Sequence, residues 1–149
     1  MKTPVALTAA VLTVASFAAG AVRPAAPEMQ ALMAQTQASA TPVHVALFVL
    51  LAAVQSLVFG LGVAFLLFGY PTVKAFGPAS PGLTRAAHVA IAWSLINWWP
   101  HGTLHQKVVP SPTTMLAIEY GFHVTIWIAA GIAAYFFLQV VRERRTVPL

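Results

Sequence analysis

Cysteine is missing from this sequence, which excludes disulfides, thiolate metal sites, iron–sulfur clusters and a cysteine nucleophile. Charge is scarce as well. Lys, Arg, Asp and Glu together make up 7% of the 149 residues, against about 25% in an average soluble domain. So few charges cannot cover a folded surface of this size, which rules out a free soluble monomer. The eight Lys and Arg are scattered between apolar runs and form no patch, so the net charge of +5 does not mark a nucleic-acid binder. No fixed-period repeat, no strand alternation, no phosphate loop and no nucleophile–base pair is present.

What fills the chain is apolar residue, 59% of the total, gathered into four stretches. This pattern predicts an all-α integral membrane bundle in a cell membrane, since a span needs about 20 apolar residues. The first stretch, residues 5–22, follows a lone Lys2. Its length fits a first transmembrane helix, and Ala19-Gly20-Ala21 equally fits the end of a secretory signal peptide. The bundle therefore has four helices, or three after cleavage. Residues 23–42 form an extracytoplasmic linker with a candidate surface helix. There Met29, Leu32, Met33 and Thr36 share a face opposite Gln30, Gln35 and Gln37, and Pro27 suits a first helical position.

The remainder, 43–145, is a three-helix core with a basic tail. Residues 43–70 carry no formal charge and end at Gly69-Tyr70-Pro71. Ser80-Pro81 and Ser111-Pro112 each combine an N-cap with proline at the first helical position. They open helices expected to run to Trp99-Pro100 and to Val141, where Arg142-Glu143-Arg144-Arg145 stops the last one. Basic loops stay on the cytoplasmic side. With the C-terminus cytoplasmic, Lys2, Lys74, Arg85, Arg142, Arg144 and Arg145 lie inside, and only Arg23 and Lys107 lie outside.

Lipid does not drive helices together by the hydrophobic effect, but small residues allow close backbone approach. Ala52, Ser56, Gly60 and Ala64, then Ala86, Ala90 and Ser94, then Gly121, Thr125, Ala129 and Ala133 line one face of three successive helices. Gln55, mid-span, is expected to hydrogen-bond to a neighbouring helix.

The same topology brings His44, His101, His105, Glu119 and His123 to the outer face, and leaves His88 at the inner end in a structural role. His101 and His105 are four residues apart, as are Glu119 and His123. On a helix that spacing puts two side chains on one face, roughly 5–6 Å apart, the arrangement by which H-x-x-x-H chelates an ion. Two such pairs supply the four N/O ligands of tetrahedral zinc or tetragonal copper, with His44 a fifth or supporting member. Met29, Met33 and Met115 lean the choice toward copper. Asn97 falls on the side of His101 if the helix continues, but Pro100 and Gly102 point to a re-entrant turn in which the i,i+4 geometry is lost. Trp93, Trp98, Trp99 and Trp127 either wall the site or form an interfacial belt. Glu119 needs a partner near hydrocarbon, and His101, His105, His123, Lys107 or a metal could serve.

The H-x-x-x-H spacing is similar to the histidine boxes of membrane di-iron desaturases and hydroxylases. The His-His pairs carried by those enzymes are missing here, and the likeness stops at five residues. Three functions fit the pattern. One is a transition-metal site used in metal handling or by a redox subunit. Another is a b-type haem or quinone protein, with His44 and His123 as axial haem ligands. The third is an accessory subunit, docked by its small-residue faces into a larger membrane complex or a homo-oligomer.

Overall fold

The computed structural model describes residues 3–22, 27–37, 41–76, 80–108 and 111–146; the side chains of Val22, Met29, Met33, Thr36, Gln37 and Thr146 fall outside that set, as do Lys2 and Arg23. All elements among the described residues are helical, with no strand. Three segments are long and apolar enough to cross a membrane: Thr3–Ala21, Pro42–Phe68 and Pro112–Arg145.

Helix α1 (Thr3–Val22) covers the first apolar stretch, and α2 (Pro27–Gln37) begins at the proline expected to open it. Helix α3 (Pro42–Phe68) starts in a capping box. Thr41 Oγ1 accepts the His44 N–H at 3.4 Å, and His44 Nδ1 accepts the Thr41 N–H at 3.2 Å, so two orphan donors of the first turn are satisfied reciprocally. The helix stops at Phe68, two residues short of the expected end, with Gly69 as its C-cap. Tyr70 instead opens a short helix, α4 (Tyr70–Lys74), which tolerates Pro71 in its first turn.

Ser80 caps α5 (Pro81–Ile96) by accepting the Leu83 N–H at 3.3 Å. This helix ends earlier than the sequence predicts. Pro100 has no N–H and its ring would clash with the carbonyl four residues back, at Ile96. The chain turns at Asn97 and restarts as α6 (Trp98–Lys107), where Pro100 sits harmlessly in the first turn. The 16 residues of α5 span about 24 Å at 1.5 Å per residue, less than the ~30 Å hydrocarbon core. Ser111 then caps α7 (Pro112–Glu119) through the Thr114 N–H at 3.1 Å. A single π-helical turn, Tyr120–Val124, joins α7 to α8 (Thr125–Thr146). The basic cluster does not end α8 where expected. Arg and Glu are good helix formers, so the apolar run stops there while the helix continues.

Extensive packing joins helices adjacent in the chain. α1 lies against α3, α3 against α5, and α5 against α8, while α6 rests on both α3 and α7. Two glycines let α3 be held on two sides. A Cβ at Gly60 would stand 2.5 Å from the Ala9 carbonyl oxygen and 2.9 Å from the Thr13 nitrogen of α1. One at Gly62 would stand 2.8 Å from the Leu95 Cβ of α5. Ser56, Gly60 and Ala64 of the small-residue face are buried, as are Ala90 and Ala129. Ala52 is exposed, and Gly121 faces open space, so neither serves close approach. The N-terminal half of α3 leaves Val43, Leu47, Phe48 and Leu50 exposed, an apolar surface suited to lipid.

The two ends of the molecule differ. At one, Val73, Ala87, Phe136 and Val140 form a core backed by Phe65, Leu83 and Ile91. Arg144 Nη2 donates to the Phe76 carbonyl at 2.7 Å, tying the basic end of α8 to α4. His88 belongs here. It is 8% exposed, and its Nε2 lies 3.0 Å from the Phe65 carbonyl between the Phe65 and Tyr70 rings. A buried polar ring with its hydrogen bond made is a structural residue. At the other end, α6 turns toward α7.

Candidate metal centre

Four side chains meet where α6 faces α7 and the π-turn. Because Pro100 falls in the first turn of α6, the helix survives through Gly102, and the i,i+4 relation of His101 and His105 is retained instead of being lost to a re-entrant turn. Their rings meet edge-on at 4.6 Å between centroids, with His105 Nε2 3.0 Å from His101 Nε2. The same His105 Nε2 lies 3.0 Å from Glu119 Oε1, and Glu119 Oε2 lies 2.9 Å from His123 Nδ1. His123 Nδ1 is also 3.0 Å from the Glu119 carbonyl, and its ring stands at right angles to that of His101, 4.9 Å away. Ligand atoms of His101, Glu119 and His123 all lie within 4.8 Å of one another. The expected partners of Glu119 are thus His105 and His123.

The π-turn was not legible in the sequence. π-turns are rare and concentrate at functional sites. Here Thr125 Oγ1 donates back to the Gly121 and Phe122 carbonyls at 2.7 and 3.0 Å, and Trp93 Nε1 donates to the same hydroxyl at 3.0 Å. The turn carries Phe122 between Trp93, stacked at 6.0 Å, and His101, 5.2 Å away. Trp93 therefore supports the site through Phe122, a residue the spacing argument did not include. Trp99 points elsewhere, donating to the Ser16 carbonyl at 3.2 Å. Trp127 is 76% exposed and makes no ring contact with the site among the described residues. Asn97, one turn before His101, is 3% exposed, and its Nδ2 has no partner among the described residues.

His44 is placed differently. Its Nδ1 faces Thr41 in the α3 cap, so its described polar contacts are local. Met115 sits in α7, four residues before Glu119; the Met29 and Met33 side chains lie outside the described residues.

His105, Glu119 and His123 keep side-chain exposures of 30%, 47% and 49%. The cluster is partly exposed, and pairing at such exposure contributes only about 0–1 kcal/mol to stability. The donor atoms of His101, Glu119 and His123 lie close enough together to hold one ion.

Comparison of the chain with protein-family models, with curated proteins and with solved structures finds no match.

Proposed function

We propose that this chain is a four-helix membrane protein with its C-terminus in the cytoplasm, which binds one transition-metal ion, copper or zinc, at its extracytoplasmic end. His101, His105, Glu119 and His123 are the ligands, and the protein acts in metal handling or as a redox subunit. One observation carries the reading: His105 Nε2 lies 3.0 Å from both His101 Nε2 and Glu119 Oε1. A neutral imidazole Nε2 bears one proton or one lone pair. It cannot make two full hydrogen bonds, and the three atoms crowd without saturating one another. An ion with metal–ligand bonds of about 2.0–2.1 Å separates tetrahedral donors by about 3.3 Å, close to these spacings.

The donor chemistry agrees. Imidazole suits zinc and copper, and copper binds the tighter of the two at a given N/O site. The partly exposed setting favours exchange of the ion over permanent storage. Two features support the topology. α1 is packed closely on α3 through Gly60, as a retained first helix would be. α5 and α6 together cover the third crossing, although α5 alone is short. The fourth ligand position can be shared between His123 and water, which leaves room for a substrate if the centre is catalytic.

Metal analysis of the detergent-purified full chain tests the proposal. The wild type is expected to retain about one equivalent of copper or zinc after desalting, with affinity reduced more than about 100-fold in a His105→Ala, His123→Ala double variant. The weak pairing at this exposure leaves the variant folded, which its helicity checks. Equal metal content in both proteins, whether high or negligible, overturns the reading.

A further inference from the structure

A cavity lies on the side of α6 turned away from the histidines. His101 and His105 occupy one face of that helix. Trp99, Thr103 and Gln106 occupy another, and with α1 and α3 they enclose a cavity of about 270 Å³. Phe17 and Phe48 complete its apolar walls, and no charged side chain lines it.

Its polar groups are unusual for this depth. Gln55 is the middle residue of α3, and the sequence predicts that it bonds to a neighbouring helix. It does not. Its amide stands against Gly102, where a Cβ would come within 3.3 Å of Oε1, and it has no hydrogen-bond partner among the described residues. Thr103 and Gln106 have none either. The other polar groups of the cavity are satisfied: Ser16 Oγ donates to the Thr13 carbonyl at 3.1 Å, and Trp99 Nε1 donates to the Ser16 carbonyl. An amide without a partner in a membrane-spanning helix is costly. Gln55 and Thr103, both half-buried, and the more exposed Gln106 line one cavity without a protein hydrogen bond among the described residues, and an occupant there can supply theirs.

The walls restrict what that occupant is. With no cation present, a phosphate or carboxylate headgroup would lose its hydration uncompensated, which excludes phospholipid heads. The volume lies just below the ~300 Å³ lower end of small-molecule sites, enough for one ring but not for a haem. Gln55 of α3 and Thr103 and Gln106 of α6 line the same cavity and offer hydrogen bonds to ring oxygens, with aromatic faces available for stacking. Phe48, Val49 and Ala52 at the mouth are exposed on the lipid side of α3, so an alkyl tail can lie in the bilayer.

We propose that this cavity binds the uncharged ring of a lipid-soluble quinone, held by hydrogen bonds from Gln55 of α3 and from Thr103 and Gln106 of α6. The proposal does not depend on the metal centre, because the two sites use different faces of α6.

The test uses the detergent-purified full chain and a benzoquinone bearing a short alkyl tail. Trp99 lines the cavity, so quenching of tryptophan fluorescence reads occupancy, and bound quinone is counted after desalting. Saturable binding of about one per chain is expected, weakened about tenfold in Gln55→Leu by the loss of one good hydrogen bond. Ala52→Phe fills cavity space while keeping the Gln55 amide, and is expected to abolish binding, which keeps the test decisive should Gln55→Leu misfold. The corresponding alkylbenzene, which lacks the ring oxygens, should not compete. His123→Ala should leave quinone binding unchanged, which separates this site from the metal centre. Non-saturable uptake by the wild type, equal binding by folded Gln55→Leu or Ala52→Phe, or equal competition by the alkylbenzene would each overturn the proposal.

Discussion

At the scale of single residues, the candidate centre turns on the position of one nitrogen, because His105 Nε2 lies 3.0 Å from both His101 Nε2 and Glu119 Oε1. The residues of this centre were legible because imidazoles and a carboxylate at four-residue spacing are rare in an apolar chain. The assignment of His44 was less so. Its position at a helix start reads equally well as ligand or cap, and only the Thr41 contacts tell which bonds it makes. Gln55 misled for a related reason: a mid-span amide needs a partner, but the sequence does not say whether the partner is protein.

Among the elements, two helix starts were plain in the sequence, because Ser80-Pro81 and Ser111-Pro112 combine a capping side chain with a fixed φ. Two breaks were not. Whether Pro100 kinks, ends or restarts a helix depends on where the new first turn falls. The π-turn, in turn, is tied to a tertiary contact, Trp93 with Thr125, between residues 32 positions apart. The small-residue faces were visible as patterns, but only contact distances show which members matter. Gly60 does, since a Cβ there meets α1 backbone rather than a movable side chain, whereas Gly131 meets nothing within 4 Å. Gly60→Leu is accordingly expected to destabilise the protein by about 1–3 kcal/mol through forced separation of α1 and α3. Gly131→Ala should stay within about 0.5 kcal/mol of the wild type. Thermal unfolding in one detergent compares the two, and similar midpoints would mean that α1 does not depend on Gly60 for its seat.

The whole molecule is polarised along its axis, and that polarity gives the centre a side of the membrane. Lys74 and Arg85 flank the end built around Val73 and Phe136, and Arg144 is bonded into it through Phe76. The histidine cluster and Lys107 occupy the opposite end, on α6 and α7. Moving a basic cluster across a membrane is disfavoured relative to keeping it in the cytoplasm, and on that ground the proposed topology turns the end with more Lys and Arg inward and the candidate centre outward. The absence of cysteine provides a silent background for testing this. Thr72, exposed in α4, and Thr113, exposed in α7, sit at opposite ends, and neither belongs to the centre. In intact cells a membrane-impermeant maleimide is expected to label Thr113→Cys directly, and to label Thr72→Cys only after the membrane is opened. The reverse pattern would turn the centre toward the cytoplasm, where any ion would be drawn from a different pool. Labelling of both sites in intact cells would mean that the stretch from α5 through α6 does not complete a crossing. The 16 residues of α5 make that outcome a real physical alternative. The sequence supports a crossing only if α6, with its polar histidine face, shares the membrane with α5, and that sharing depends on whether the ring-lined cavity and the metal centre together satisfy the polar groups α6 carries.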